Sequence, residues 1–135
     1  MSGPQTEQIG RAECMRLLQY ESFVGRIAFV ADGAVQLRPV NYLADERGLV
    51  FCTRHGSVFA AVAAGTPVVF EVDSSQPLHH SGWSVIVRAQ AAEITDASEL
   101  AFLRRGPLKS WAVSPDEQWI RLDIQEISGV RIPEH

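Results

Sequence analysis

The sequence predicts a mainly β fold, a six-stranded antiparallel barrel carrying short flanking helices. Three observations predict it. Six segments read as strands, by alternation or as short apolar runs bounded by turn residues. Asp32-Gly33 joins two of them as a tight hairpin turn, where glycine tolerates the positive φ required. No βαβ series, GxGxxG or Walker pattern occurs, so a Rossmann fold and a nucleoside-triphosphatase have no support.

The elements follow in chain order. Thr6 to Tyr20 reads as a helix, with Cys14, Leu17 and Leu18 on one apolar face and Gly10 weakening its first half. "VGRIAFVA", Val24 to Ala31, is the first strand, and "VQLRPVNY", Val35 to Tyr42, returns as the second. Pro39 lacks a ladder donor, which places that strand at an edge or a bulge. "ADERG" forms a turn before a third strand, Leu49 to Thr53. Ser57 then caps a helix over 58–64, which Gly65 closes and Pro67 prevents from continuing. "VVFEVD", Val68 to Asp73, is the fourth strand, and "SSQPLHHSG" is a polar loop. The fifth strand, Trp83 to Ile94, points Trp83, Val85, Val87, Ala89 and Ala91 one way and Ser84, Ile86 and Arg88 the other. Asp96, with Glu99 three residues on, starts a helix to about Arg105. "WIRLDIQEI" is the sixth strand, with Ile120, Leu122 and Ile124 on one face.

The whole chain, 1–135, reads as one domain, with residues 1–5 as a disordered N-terminal tail. Hydrophobic residues make up 46% of it, enough for a core without a metal or disulfide staple. A net charge of −4 argues against a nucleic-acid partner, which needs a basic stripe. Two cysteines form no disulfide framework, and no apolar run approaches a membrane span or a signal peptide. The expected location is the cytoplasm.

Three stretches carry chemistry. In "FCTRHGS" a strand runs into a helix start bearing Thr53, Arg54, Gly56 and Ser57. Unpaired N–H groups, two hydroxyls and a guanidinium there suit an anion, most naturally a phosphate. A capped helix start with a turn glycine is the plainer alternative. In "LRPVNY", the groups beside Pro39 at Val40 and Asn41 can read the edge of a flat heterocycle, or belong to an ordinary edge strand. In "SGWSVIVR", Trp83 can line a cofactor, pack in a dimer interface or sit in the core. His79-His80 are adjacent on the chain with no third ligand at hand, so no metal is expected. Cys52 reads as a buried small hydrophobe rather than a nucleophile.

Together, in this order, these residues resemble the pyridoxamine 5′-phosphate oxidase-like, flavin-binding split-barrel proteins in their short single-domain bacterial branch. "ECMRLLQYESFVGRIAFVADG" resembles the opening helix and first hairpin, "PVNY" the segment beside the flavin ring, and "FCTRHGS" the phosphate-binding strand end. "VVFEVD", "GWSVIVRAQAAEI" and "LDIQEISGVRI" resemble the later strands. The resemblance implies a six-stranded split barrel, a homodimer, and FMN at the dimer interface. It places Thr53, Gly56 and Ser57 at the phosphate, and Arg38, Pro39, Val40, Asn41 and Tyr42 near the ring and tail. Trp83 and Ser84 match a strand start that helps build the interface pocket. Val58 and Phe59 stand where many relatives carry basic residues, so Arg54, His55 or Arg38 is expected to substitute. "GVRIPEH" lacks the substrate-gripping segment of the true oxidases, so vitamin B6 synthesis is not expected. The implied activity is an FMN-dependent oxidoreductase acting on a small molecule. The alternatives are a deazaflavin-dependent reductase and a non-catalytic flavin or haem carrier.

Overall fold

The computed structural model describes residues 5–54, 56, 61, 64–106, 108 and 117–134. Among these residues eight strands form one antiparallel sheet, with β1 (Glu7–Ile9), β2 (Val24–Ala31), β3 (Ala34–Asn41), β4 (Leu43–Asp45), β5 (Gly48–Arg54), β6 (Pro67–Gln76), β7 (Ser81–Glu93) and β8 (Glu117–Ile132). Among the described residues, helices with full ranges are α1 (Arg11–Tyr20) and α2 (Ala97–Arg104). The strand order is β3-β2-β6-β7-β8-β5-β4, with β1 added to β8. The two ends of that order, β3 and β4, are consecutive in the chain, and β3 touches β5. The sheet therefore curls on itself into a barrel.

The interior is filled by alternation. Ile27 and Phe29 of β2, Val68, Phe70 and Val72 of β6, and Val85, Val87 and Ala89 of β7 are buried in one cluster. Each of these strands turns its other face outward. Cys14, Leu17 and Leu18 bring α1 onto the same cluster, on the spacing that the sequence gives them. A smaller cluster, Val50, Ile94, Leu103, Leu108 and Trp119, lies on the opposite face of β5 and β8.

Close approaches fix the strand register. A Cβ on Gly25 would enter the Phe70 ring, and one on Gly48 would meet the Leu122 carbonyl oxygen. The β2–β3 turn has the left-handed geometry its sequence demands, with φ of 53° at Asp32 and 74° at Gly33.

The six expected strands are all present, and β3 is the sheet edge that Pro39 requires. The structure corrects the expectation in several places. Thr6 to Tyr20 is not one helix: β1 comes first, and Gly10 is the N-cap of α1. β4 occupies the start of the expected turn. Both added strands have three residues, too few for alternation to register. β8 runs on to Ile132 through a bulge, where Arg88 pairs Glu126 but Ala89 pairs Ile124. The extra residue reverses the alternation, so Ile124 and Ile127 both pack on the main core. The helix expected over 58–64 lies mostly outside the described residues. Ala61 is helical and buried, Thr66 bonds back to its carbonyl, and Gly65 has φ of 72°. The expected N-terminal tail, except Gln5, also falls outside them.

Candidate functional site

The candidate residues occupy three places. The first is β3. Arg38 lies opposite Ile27 and so on the inward side, its guanidinium carbon 5.9 Å from the Phe29 ring centroid. It donates to the Leu37 carbonyl at 2.9 Å and to Gln36 Oε1 at 3.2 Å. Pro39 and Asn41 alternate to the outer side, opposite Arg26 and Val24. Val40 is half-buried against the main core.

Tyr42 leaves this group. Its side chain is buried, edge-on to Phe70 at 5.3 Å, and its hydroxyl donates to the Leu18 carbonyl at 2.8 Å. Burial holds the phenol protonated, well above its ordinary pKa. Tyr42 thus ties α1 to the barrel, and its ring is not offered to a cofactor. The strand period explains the difference: the residue after Asn41 must turn inward.

The second place is the end of β5. Thr53 is half-buried and donates to the Arg54 carbonyl at 3.3 Å. Arg54 is exposed and alternates to the face of Val50 and Cys52. Gly56 is exposed, whereas His55, Ser57, Val58 and Phe59 lie outside the described residues. The strands that carry these two places, β3 and β5, touch. Among the described residues, neither Arg38 nor Arg54 meets a carboxylate, while Arg16, Arg26, Arg88, Arg121 and Arg131 each do. Arg38 and Arg54 are cationic donors of the kind a flavin phosphate needs, one on the inward side of β3 and the other on the smaller-cluster face of β5. Cys52 packs on the smaller cluster, and burial pushes its thiol up to about 11, the state of an unreactive thiol.

The third place is the start of β7. Trp83 pairs with Ser74 and Arg131, and Ser84 with Asp73 and Val130. They face opposite sides, as the sequence predicts. Trp83 lines a cleft of about 290 Å³ with Glu21, Ser74 and Arg131. Ser84 and Trp83 both line a second cleft, of about 220 Å³, with Asp73, Val130 and Ile132. Arg131 is held by Glu13 at 2.7 Å, and Arg16 holds the same carboxylate, keeping its pKa down at about 2. His79 is not on a strand. It sits in a 3₁₀ turn, Pro77–His79, with Nδ1 3.1 Å from Glu134.

Arg54 pairs with Glu117 at one end of β8, and Trp83 with Arg131 near the other. Nearly the full length of a 16-residue strand separates them. Within one chain the strands of the first two places touch, and the third place lies apart.

Sequence reasoning missed a cluster on the outer face between them. Arg26 Nη1 lies 2.9 Å from Glu71 and 3.2 Å from Asp73. The alternation of "VVFEVD" puts both acids on one face, but only the β2–β6 register reveals that Arg26 meets them.

Residues 10–131 match the family model described as Pyridoxamine 5′-phosphate oxidase. An uncharacterized protein of Mycobacterium tuberculosis is 29% identical over 97% of this chain and 88% of its own length. The structure of an FAD binding protein from Mycobacterium smegmatis is 30% identical, with a TM-score of 0.78, covering 96% of this chain and all of that one. A crystal structure from Corynebacterium glutamicum shares the fold at 24% identity, with a TM-score of 0.81 over 100% of this chain and 98% of that one. The shared fold is the split barrel.

Proposed function

The chain belongs to the pyridoxamine 5′-phosphate oxidase family, and on that premise we propose that it binds a flavin and acts as an oxidoreductase on a small molecule. The observation that carries the reading is two guanidiniums, Arg38 and Arg54, that meet no carboxylate among the described residues and stand on touching strands, Arg54 beside Thr53 at the end of β5. Thr53, Arg54 and Gly56 would hold the phosphate, with Ser57 if it follows the family pattern. Arg38 would supply the charge that Val58 and Phe59 do not. Pro39, Val40 and Asn41 would flank the ring. When bound, the flavin supplies the redox chemistry, and the residues of this chain position it and exclude water.

FMN is the flavin we propose, since a phosphate site is what the residues offer. FAD is the second reading, supported by the FAD binding protein of M. smegmatis. A second copy of the chain would complete the site, because Trp83 and Ser84 lie far along β8 from Arg54. The outer face of β2, β3, β7 and β8 suits that pairing. Val24, Val30, Val35, Leu37, Ile86 and Val130 are exposed on it, Val35 at 78% and Leu37 at 58%.

The test is an absorbance spectrum of the purified protein, then melting curves with FMN, FAD, deazaflavin and haem. A flavin spectrum, or a melting temperature raised by FMN or FAD, supports the reading. A Soret band, or a shift with haem alone, moves the carrier alternative ahead. Stabilisation by deazaflavin alone replaces the cofactor.

A further inference from the structure

The cluster missed in the sequence occupies the middle of the outer face. In one row across the sheet stand Pro39, Arg26, Glu71, Ile86 and Ser128. Beside it Asp73 pairs with Ser84, and Ser84 with Val130. The charges that face Glu71 are therefore Arg26 from β2, Asp73 from β6, and Arg88 one step along β7. Arg88 is itself 3.6 Å from Glu126 of β8. From β3 come Pro39 and Asn41, neither of them titratable. Two carboxylates share one guanidinium, and the set carries one surplus negative charge.

The face has the marks of one that meets its own copy. It mixes exposed Val24, Ile86 and Val130 with the ion cluster, and a two-fold pairing across it brings the surplus negative charges of the two copies toward one another. Burying the surplus charge in that pairing is unfavourable unless it is neutralised. The group that would accept the proton is already poised. Burial, and then the Asp73 carboxylate, push the Glu71 carboxyl up to about 7 against the pull of Arg26.

We infer that two copies of this chain pair across the outer face with uptake of a proton at the Glu71–Asp73 pair in each. The inference rests on the paired reading given above. Covering the face removes water from the carboxyl, so the protonated form is favoured in the dimer and association tightens as pH falls.

The test is sedimentation of the full chain over a concentration series at pH 6, 7 and 8 and fixed ionic strength. With a midpoint near 7, full linkage makes the dimer dissociation constant about tenfold tighter per protomer from pH 8 to pH 6, up to about a hundredfold for the pair. Glu71→Gln, which imitates the protonated acid, should hold the pH 6 affinity at pH 8 and lose the dependence. Should that variant fail to fold, Asp73→Asn serves. It removes the neighbouring charge and should carry the dependence to lower pH. A dimer whose affinity does not move with pH overturns the inference and leaves the pairing standing. So does a Glu71→Gln or Asp73→Asn protein that keeps the wild-type profile. A chain that stays monomeric at every pH overturns the pairing and the inference together.

Discussion

Arg54 and Tyr42 were joined in one expected site, and their surroundings now separate them. Arg54 is exposed and free of carboxylates among the described residues, so Arg54→Ala should weaken flavin affinity. The loss of one charged hydrogen bond is about 1.5–3 kcal/mol, roughly ten- to a hundredfold. Arg104→Ala, at the end of α2, should leave the affinity unchanged. Tyr42→Phe should behave in the opposite sense. It removes the bond to the Leu18 carbonyl and should lower stability by about 1 kcal/mol with flavin affinity intact. Fluorescence titration and denaturant melts of the three variants check both statements, and equal affinity in wild type and Arg54→Ala removes Arg54 from the site. Cys52 gives a pH prediction at the same scale. With its folded pKa raised to about 11, the thiolate fraction at pH 8 is about one in a thousand. Iodoacetamide should label Cys52 in the native protein far more slowly than in urea, with the rate still climbing at pH 10. Fast native labelling at pH 8 would refute the buried-thiol reading.

At the scale of elements, the β4–β5 turn makes the sharpest demand. Gly48 has φ of 141°, and a Cβ there would run onto the Leu122 carbonyl oxygen. Gly33 also has positive φ, at 74°, but opens onto space. Gly33→Ala should therefore cost about 1–2 kcal/mol of backbone strain alone. Gly48→Ala adds the overlap and should cost about 3 kcal/mol or more, a melting temperature lower by roughly 10 °C. Similar melting temperatures for the two variants would contradict this account. The Asp32-Gly33 hairpin was legible because its turn chemistry is local. So was the N-cap of α2, where Asp96 accepts from the Glu99 backbone N–H at 2.8 Å. The rest of that capping pattern was not. The Glu99 carboxylate instead reaches Arg121, a nearly buried residue that also meets Asp45. That ion cluster ties α2, β4 and β8 together, and only the tertiary arrangement brings its members into contact. The reach of β8 was hidden for a related reason, since a bulge at Gln125 breaks the alternation from which the strand was read.

At the scale of the molecule, the candidate site is distributed. β3, which carries Arg38, touches β5, which carries Thr53 and Arg54, while Trp83 stands near the far end of β8. Motifs made the residue types legible, but no motif states which copy of the chain supplies them. If each cofactor lies between two copies, the Arg54 end of one chain works with the Trp83 end of the other. Arg54→Ala and Trp83→Ala homodimers then each carry two damaged sites. Mixed and allowed to exchange subunits in equal amounts, they form half heterodimers. In each heterodimer both substitutions fall in one site, and the other site is wholly native. About a quarter of all sites should then recover wild-type affinity, in a system of closed two-fold dimers. Fluorescence titration of the mixture should resolve that fraction as a tight phase, absent from either variant alone. If every site were built within one chain, subunit exchange could restore nothing, and the titration would be the plain sum of the two variants. A tight phase thus demonstrates shared sites, and a simple sum places the Arg54 and Trp83 ends in functions that do not meet.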